Sequence, residues 1–174
     1  MKKFLFSVVI IVCVFMCAFV GCFDRERLTD AQKISRRLGM SVEGGVVETY
    51  TNDHSGFNGD GETYAKVTFE DESFCGLIVQ SGNWLNLPLT QTLSVAVYGG
   101  TLPNGMSWSS LIEDDNDQPL IPQIDEGYYY FKDRSRQSEN EKDDSQIFER
   151  YSFNFTLAIY DLENRTLYFF EIDT

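Results

Sequence analysis

Histidine is nearly absent from this sequence: one residue, His54, in a chain of 174. Any mechanism that needs two imidazoles is therefore excluded, and so is a histidine-rich metal site. Basic residues are also few, 14 Lys and Arg against 27 Asp and Glu, giving a formal net charge of −13. A surface that neutralises nucleic-acid phosphates needs a basic stripe, so nucleic acid is not an expected partner. The same sign opposes electrostatic adhesion of the whole domain to an anionic membrane. Internal repeats and low-complexity tracts are missing. So are the HExxH, P-loop, GxGxxG and GxSxG patterns, each of which would signal a particular chemistry. What is present is 43% apolar and 14% aromatic residues in a length suited to one domain, enough for a packed core.

The start of the chain has a separate character. Lys2 and Lys3 precede an uncharged run from Phe4 to Val20 that contains neither Pro nor Gly. Such a run is a signal-peptide core or a short, uncleaved anchor. Phe19-Val20-Gly21-Cys22 closes it, and this resembles the lipobox of bacterial lipoproteins, with Phe19 standing where Leu is usual. The resemblance implies cleavage before Cys22, a diacylglyceryl group on its thiol, and attachment to the cell membrane on the extracytoplasmic face. It divides the chain into a signal peptide over 1–21, a charged tether over 22–28 and one globular domain over 29–174. Removal of residues 1–21, which hold two lysines and no acid, takes the net charge from −13 to −15. Cys13 and Cys17 leave with that peptide, so Cys75 has no partner for an intramolecular disulfide. Its apolar neighbours make Cys75 a buried small hydrophobe.

Periodicity and capping residues outline the domain. Thr29 with Gln32 forms a capping box for a helix that Gly39 ends, with Ile34 and Leu38 on one face. Strands are expected over 45–50, 64–69 and 127–131, and an antiparallel hairpin over 151–159 and 166–172. In the first arm of that hairpin Tyr151, Phe153, Phe155, Leu157 and Ile159 share a face. Residues 73–80 and 90–98 suit helices, although Val95 and Val97 would also suit a strand. Residues 101–126, rich in Pro, Asn, Asp and Gly, look like a surface excursion, and 135–145 like a loosely held loop. The expected fold class is α+β: a single antiparallel sheet of about five strands with two or three helices on one face. A β-sandwich is the alternative if 73–98 is strand.

The long polar loop between the first two strands holds the candidate ligand-binding residues Asp53, His54, Asn58, Asp60 and Glu62. Their oxygens and the glycines among them are the chemistry of a hard cation such as Ca²⁺, yet Thr51 stands where an EF-hand loop needs Asp and the flanks are strands. A loop that turns because Asx and Gly tolerate left-handed dihedrals accounts for the same residues. His54 has no identified nucleophile, and no metal site or cofactor is assigned. The acidic pairs Asp114/Asp115 and Asp143/Asp144 read as solvated. Tyr128, Tyr129 and Tyr130 alternate across a strand, so part of that run is core.

The lipobox, the 53–61 loop, Trp84 near Leu87-Pro88-Leu89, the segment 127–134 and Asn154-Phe155-Thr156-Leu157-Ala158-Ile159-Tyr160-Asp161 are together similar to a group of uncharacterised small lipoproteins of Gram-positive, gut-type bacteria. Members of that group carry histidines where Asn58 and Ser135 stand here. The resemblance implies a membrane-anchored lipoprotein and no known chemistry. Three functions remain open: a non-enzymatic domain binding a partner, a small hydrolase or metal-dependent site around His54, and an inhibitor or immunity-type protein steered to a basic partner by its charge.

Overall fold

The computed structural model describes residues 28–55 and 59–174. Cys22, most of the tether and Asn58 lie outside the described residues. The fold begins with helix α1 (Asp30–Leu38). The Thr29 hydroxyl accepts from the Gln32 N–H at 3.2 Å, and the Gln32 side chain accepts from the Thr29 N–H at 3.0 Å. Gly39, at φ 68°, stops it.

Eight strands follow, interrupted by two more helices: β1 (Val46–Asn52), β2 (Gly61–Thr68), α2 (Ser73–Ser81), β3 (Leu85–Asn86), α3 (Gln91–Tyr98), β4 (Gly100–Thr101), β5 (Ser107–Trp108), β6 (Gly127–Asp133), β7 (Asn154–Asp161) and β8 (Thr166–Asp173). Six of them form one sheet in the order β1-β2-β8-β7-β6-β3, and every neighbouring pair is antiparallel. β4 and β5 make a separate two-stranded ribbon. The molecule is a single α+β domain, as the residue pattern indicates; 73–81 and 91–98 are helical, and the connector between them holds the short β3. Thr90 caps α3 by accepting from the Leu93 N–H at 3.1 Å.

The expectation of helices on one face is corrected. β7 and β8 are buried at nearly every position, so both faces of the sheet centre are covered. On one face α1 and α2 set Ile34, Leu38, Phe74 and Ile78 against Ala65, Val67, Ala158, Tyr160 and Phe169. On the other, α3 sets Leu93, Val95 and Val97 against Phe131, Phe155, Leu157 and Phe170. Residues 101–126 are more than a surface excursion, because Leu102, Ile112 and Ile121 complete this second core. The count of about five strands rises to six through β3, two residues that pair Leu85 with Tyr129 and Asn86 with Tyr128. Tyr151 is fully exposed because β7 begins only at Asn154, while Phe155 is fully buried. Cys75 is half-buried. The 135–145 segment is tied down by the Asp133 N–H to the Glu141 carbonyl at 2.7 Å and by the Thr90 hydroxyl to Asp144 at 2.5 Å. Among the described residues no helix is long and apolar enough to cross a membrane.

Candidate functional site

Strand register builds one polar row across the α1 face. Asn52 pairs with Thr63, Thr63 with Glu171, Glu171 with Thr156, and Thr156 with Lys132. Two residues further along each strand, the same face is the apolar row Tyr50, Ala65, Phe169, Ala158 and Tyr130. The face therefore changes from apolar to polar within one strand period.

Glu171 is the centre of the polar row, with only 3% of its side chain exposed. A buried carboxylate needs both charge compensation and hydrogen bonds. Arg134 Nη2 lies 3.1 Å from Glu171 Oε1, Arg37 Nε lies 3.2 Å from Oε2, and the Thr156 hydroxyl donates to Oε1 at 3.4 Å. Arg134 also donates from Nη1 to both Asp173 carboxylate oxygens at 2.8 and 3.1 Å, and from Nη2 to the Phe155 and Ile172 carbonyls at 3.1 and 3.2 Å. One guanidinium thus holds the ends of β7 and β8 together and bridges two acids, with Arg37 as the second cation on Glu171.

His54 reaches the same cluster from the loop. Its Nε2 is 3.3 Å from Asp173 Oδ2 and its Nδ1 is 3.4 Å from the Thr63 hydroxyl, which itself accepts from Asn52 Nδ2 at 2.9 Å. The Asp173 carboxylate can only accept, so an N–H at Nε2 faces it, and in that neutral tautomer Nδ1 accepts from the Thr63 hydroxyl. Carboxylate, imidazole and hydroxyl in line are the parts of a nucleophilic triad. Thr63 is 3% exposed, which denies an external substrate access to its oxygen. The contacts instead fasten the β1–β2 loop to the C-terminal strand.

Beside this row, between α1 and the β1–β2–β8 end of the sheet, lies a groove of about 440 Å³. α1 contributes Lys33, Arg36 and Arg37 to its rim; Asn52, Thr63 and Glu171 form its polar floor. Leu28, Ile34, Tyr50 and Phe169 supply apolar wall, and the Lys33 ammonium sits 4.9 Å from the centre of the Tyr50 ring.

The candidate loop residues divide between two places. Asp53 and Glu62 face the other side of the sheet, where with Glu113, Asp114 and Asp115 they line a cavity of about 340 Å³. Burial raises Glu62 above its ordinary carboxylate range, and the charges of Asp53 and Glu113 raise it further while His54 opposes them. Asp60 is exposed beyond the loop tip. Gly61 follows at φ 154°, and a Cβ there would collide with the Asp53 carbonyl, so the close approach of the two loop arms requires glycine. Among the described residues, no group of three or more His, Cys, Asp or Glu is placed to hold a metal ion. The residues that sequence reasoning missed are Thr63, Arg134, Glu171 and the α1 cations. A single acid in the otherwise apolar stretch from Leu167 to Ile172 was the available signal.

Compared with protein-family models, with curated proteins and with solved structures, the chain matches none.

Proposed function

We propose that this chain is a membrane-anchored lipoprotein, held through Cys22 at the extracytoplasmic face, whose domain is a non-enzymatic binding module with its seat in the groove beneath α1. The observation that carries the binding reading is the groove itself: three cations ring an open space of ligand size in a chain of formal charge −13. The lipobox supports the anchor. Thr29, which caps α1, follows Cys22 by seven residues, a span of at most about 25 Å when extended, so the groove would lie close to the bilayer.

A second reading, a small hydrolase around His54, draws on the Thr63–His54–Asp173 alignment, and the burial of the Thr63 oxygen stands against it. One experiment separates the two. The full chain is purified in mild detergent from its own membranes, denatured, and the released small molecules are identified by mass spectrometry, in parallel with an ester-hydrolysis assay. The binding reading predicts an anion released from wild type, depleted in Arg36→Gln, and no hydrolysis sensitive to His54→Gln. Hydrolysis lost in His54→Gln, with no anion released from wild type, would establish the enzyme reading instead.

A further inference from the structure

The charges of this chain leave one large gap. No Asp, Glu, Lys, Arg or His occurs from Ser73 to Ile112, 40 consecutive residues in a chain of which 24% is charged. The gap covers α2, β3, α3 and the β4–β5 ribbon. α2 packs on one face of the sheet and α3 on the other, so residues 82–90 carry the uncharged surface round the β3 edge. Burial does not account for the gap. Leu77, Val79 and Leu85 are exposed, at 41%, 62% and 56%, and so are Gln80, Asn83 and Asn86. The Lys142 ammonium, 3.4 Å from the Asn83 side-chain oxygen, marks one border of the surface.

α2 is the apolar part of it. Phe74 and Ile78 are its buried side. With 3.6 residues per turn, Gly76 then points directly away from the core, and Leu77 and Val79 flank it. A surface helix ordinarily turns a charged or polar stripe to water, and one that is apolar all round is covered on both sides. Gly76 adds to this. Its backbone is not left-handed, and a Cβ on it would meet nothing within 4 Å. Glycine inside a helix is destabilising relative to alanine, and no described residue needs the missing side chain. A second helix crossing at Gly76 would need it, because the two backbones could then approach closely.

We propose that the outer face of α2, continued by Leu85 of β3, is the contact surface of a symmetric dimer, covered by a second copy of this chain. Charge selects that partner. Each copy carries −13, so two copies repel wherever their carboxylates meet. In a two-fold contact the residues near the axis face their own counterparts, and any charge there faces the same charge. A surface without charge is therefore what a self-contact requires. A different partner would tolerate charge, and a basic one would use it. Leu77, Val79 and Leu85 supply the apolar, charge-depleted centre of such an interface, with amide side chains around them. None of the residues lining the groove beneath α1 takes part, so the dimer stands or falls apart from the binding reading above.

The test is the mass of the full chain in non-ionic detergent, measured by light scattering with the detergent contribution subtracted. Wild type should have twice the mass of one chain and dissociate on dilution. Raising the ionic strength from about 0.01 to 1 M shortens the screening length from about 30 to about 3 Å, and it should tighten the dimer by weakening the repulsion between copies. Val79→Glu should weaken association at least about tenfold, since it sets like charges against each other near the axis. Val46→Glu, as exposed on β1 as Val79 is on α2 and with the same change of charge, should leave it unchanged. Gly76→Gln fills the outer side of α2 where the fold leaves open space, so it should weaken the dimer while the single chain melts no lower than wild type. If Val79→Glu fails to fold, Gly76→Gln decides. Equal dimerisation of wild type and Gly76→Gln, or a dimer that ionic strength loosens, would overturn the proposal. A chain that stays single at every concentration and ionic strength would also overturn it, leaving the face to a lipid surface or another protein.

Discussion

Arg134 Nη2 and Glu171 Oε1 stand 3.1 Å apart at the end of the central hairpin, and both side chains are largely withdrawn from water. The pair joins the β6–β7 connection to β8, because the same guanidinium also binds Asp173 and the Phe155 and Ile172 carbonyls. A buried pair of this kind is costly to break, since either partner alone is left as a desolvated charge. Arg134→Leu should therefore destabilise the fold by about 3–5 kcal/mol in denaturant unfolding. Adding Glu171→Leu should restore much of the loss, giving a coupling energy well above the additive expectation. Additive effects would show that the pair carries no shared energy.

Tyr160 presents the opposite case. Its ring is fully buried against Phe69 and Phe74, and its hydroxyl has no hydrogen-bond partner among the described residues. Burial pushes the phenol up to about 12. Tyr160→Phe keeps the ring contacts and removes an unsatisfied polar atom, so it should raise stability by about 1 kcal/mol. A loss of similar size would show that the hydroxyl has a partner.

Glu62 gives a pH dependence with a definite sign. Its folded pKa is raised, chiefly by burial, so the ionised form is penalised on folding at neutral pH. The penalty is present above the folded pKa and absent once the carboxyl is protonated in both states, below about 4.3. Glu62→Gln should thus melt higher than wild type at pH 7, with the two curves converging as the pH falls towards 4. Convergence at neutral pH and divergence in acid would reverse the assignment.

Calcium tests the other use of the same loop. Asp53 and Glu62 face the acidic cavity while His54 turns to Asp173 on the opposite side of the sheet, and Asp60 is exposed. A calcium ion requires six to eight oxygens converging on one point. Addition of millimolar calcium should leave the melting temperature unchanged at constant ionic strength. A rise that Glu62→Gln abolishes would show that the loop closes around the ion.

The elements were legible where local chemistry specifies them. Thr29, Gln32 and Gly39 mark α1 by capping, and the alternation from Phe155 to Ile159 marks the central hairpin. The second covered face was less visible, because Leu102, Ile112 and Ile121 are single apolar residues spaced among turn formers, without a period to reveal them. The site was hardly visible at all. His54 meets Asp173 across 119 residues, and the groove exists only because β2 pairs with β8, a choice that periodicity does not encode. Glu171 was readable in principle as a charge on an apolar strand face, but its partners Arg37 and Arg134 come from elements far apart in sequence.

The proposed lipid anchor is the most direct test of the whole account, because it would fix where the domain lies and hence what its groove can meet. Cells expressing the full chain are grown with a radioactive fatty acid and fractionated, alongside cells expressing Cys22→Ala. Two acyl chains hold a protein to a bilayer where one does so only marginally. Wild type should carry the label, run at the size of the chain without residues 1–21 and pellet with membranes, and Cys22→Ala should carry no label and retain its N-terminal segment. Label that persists in Cys22→Ala, or wild type that is unlabelled and keeps its first 21 residues, would contradict the assignment.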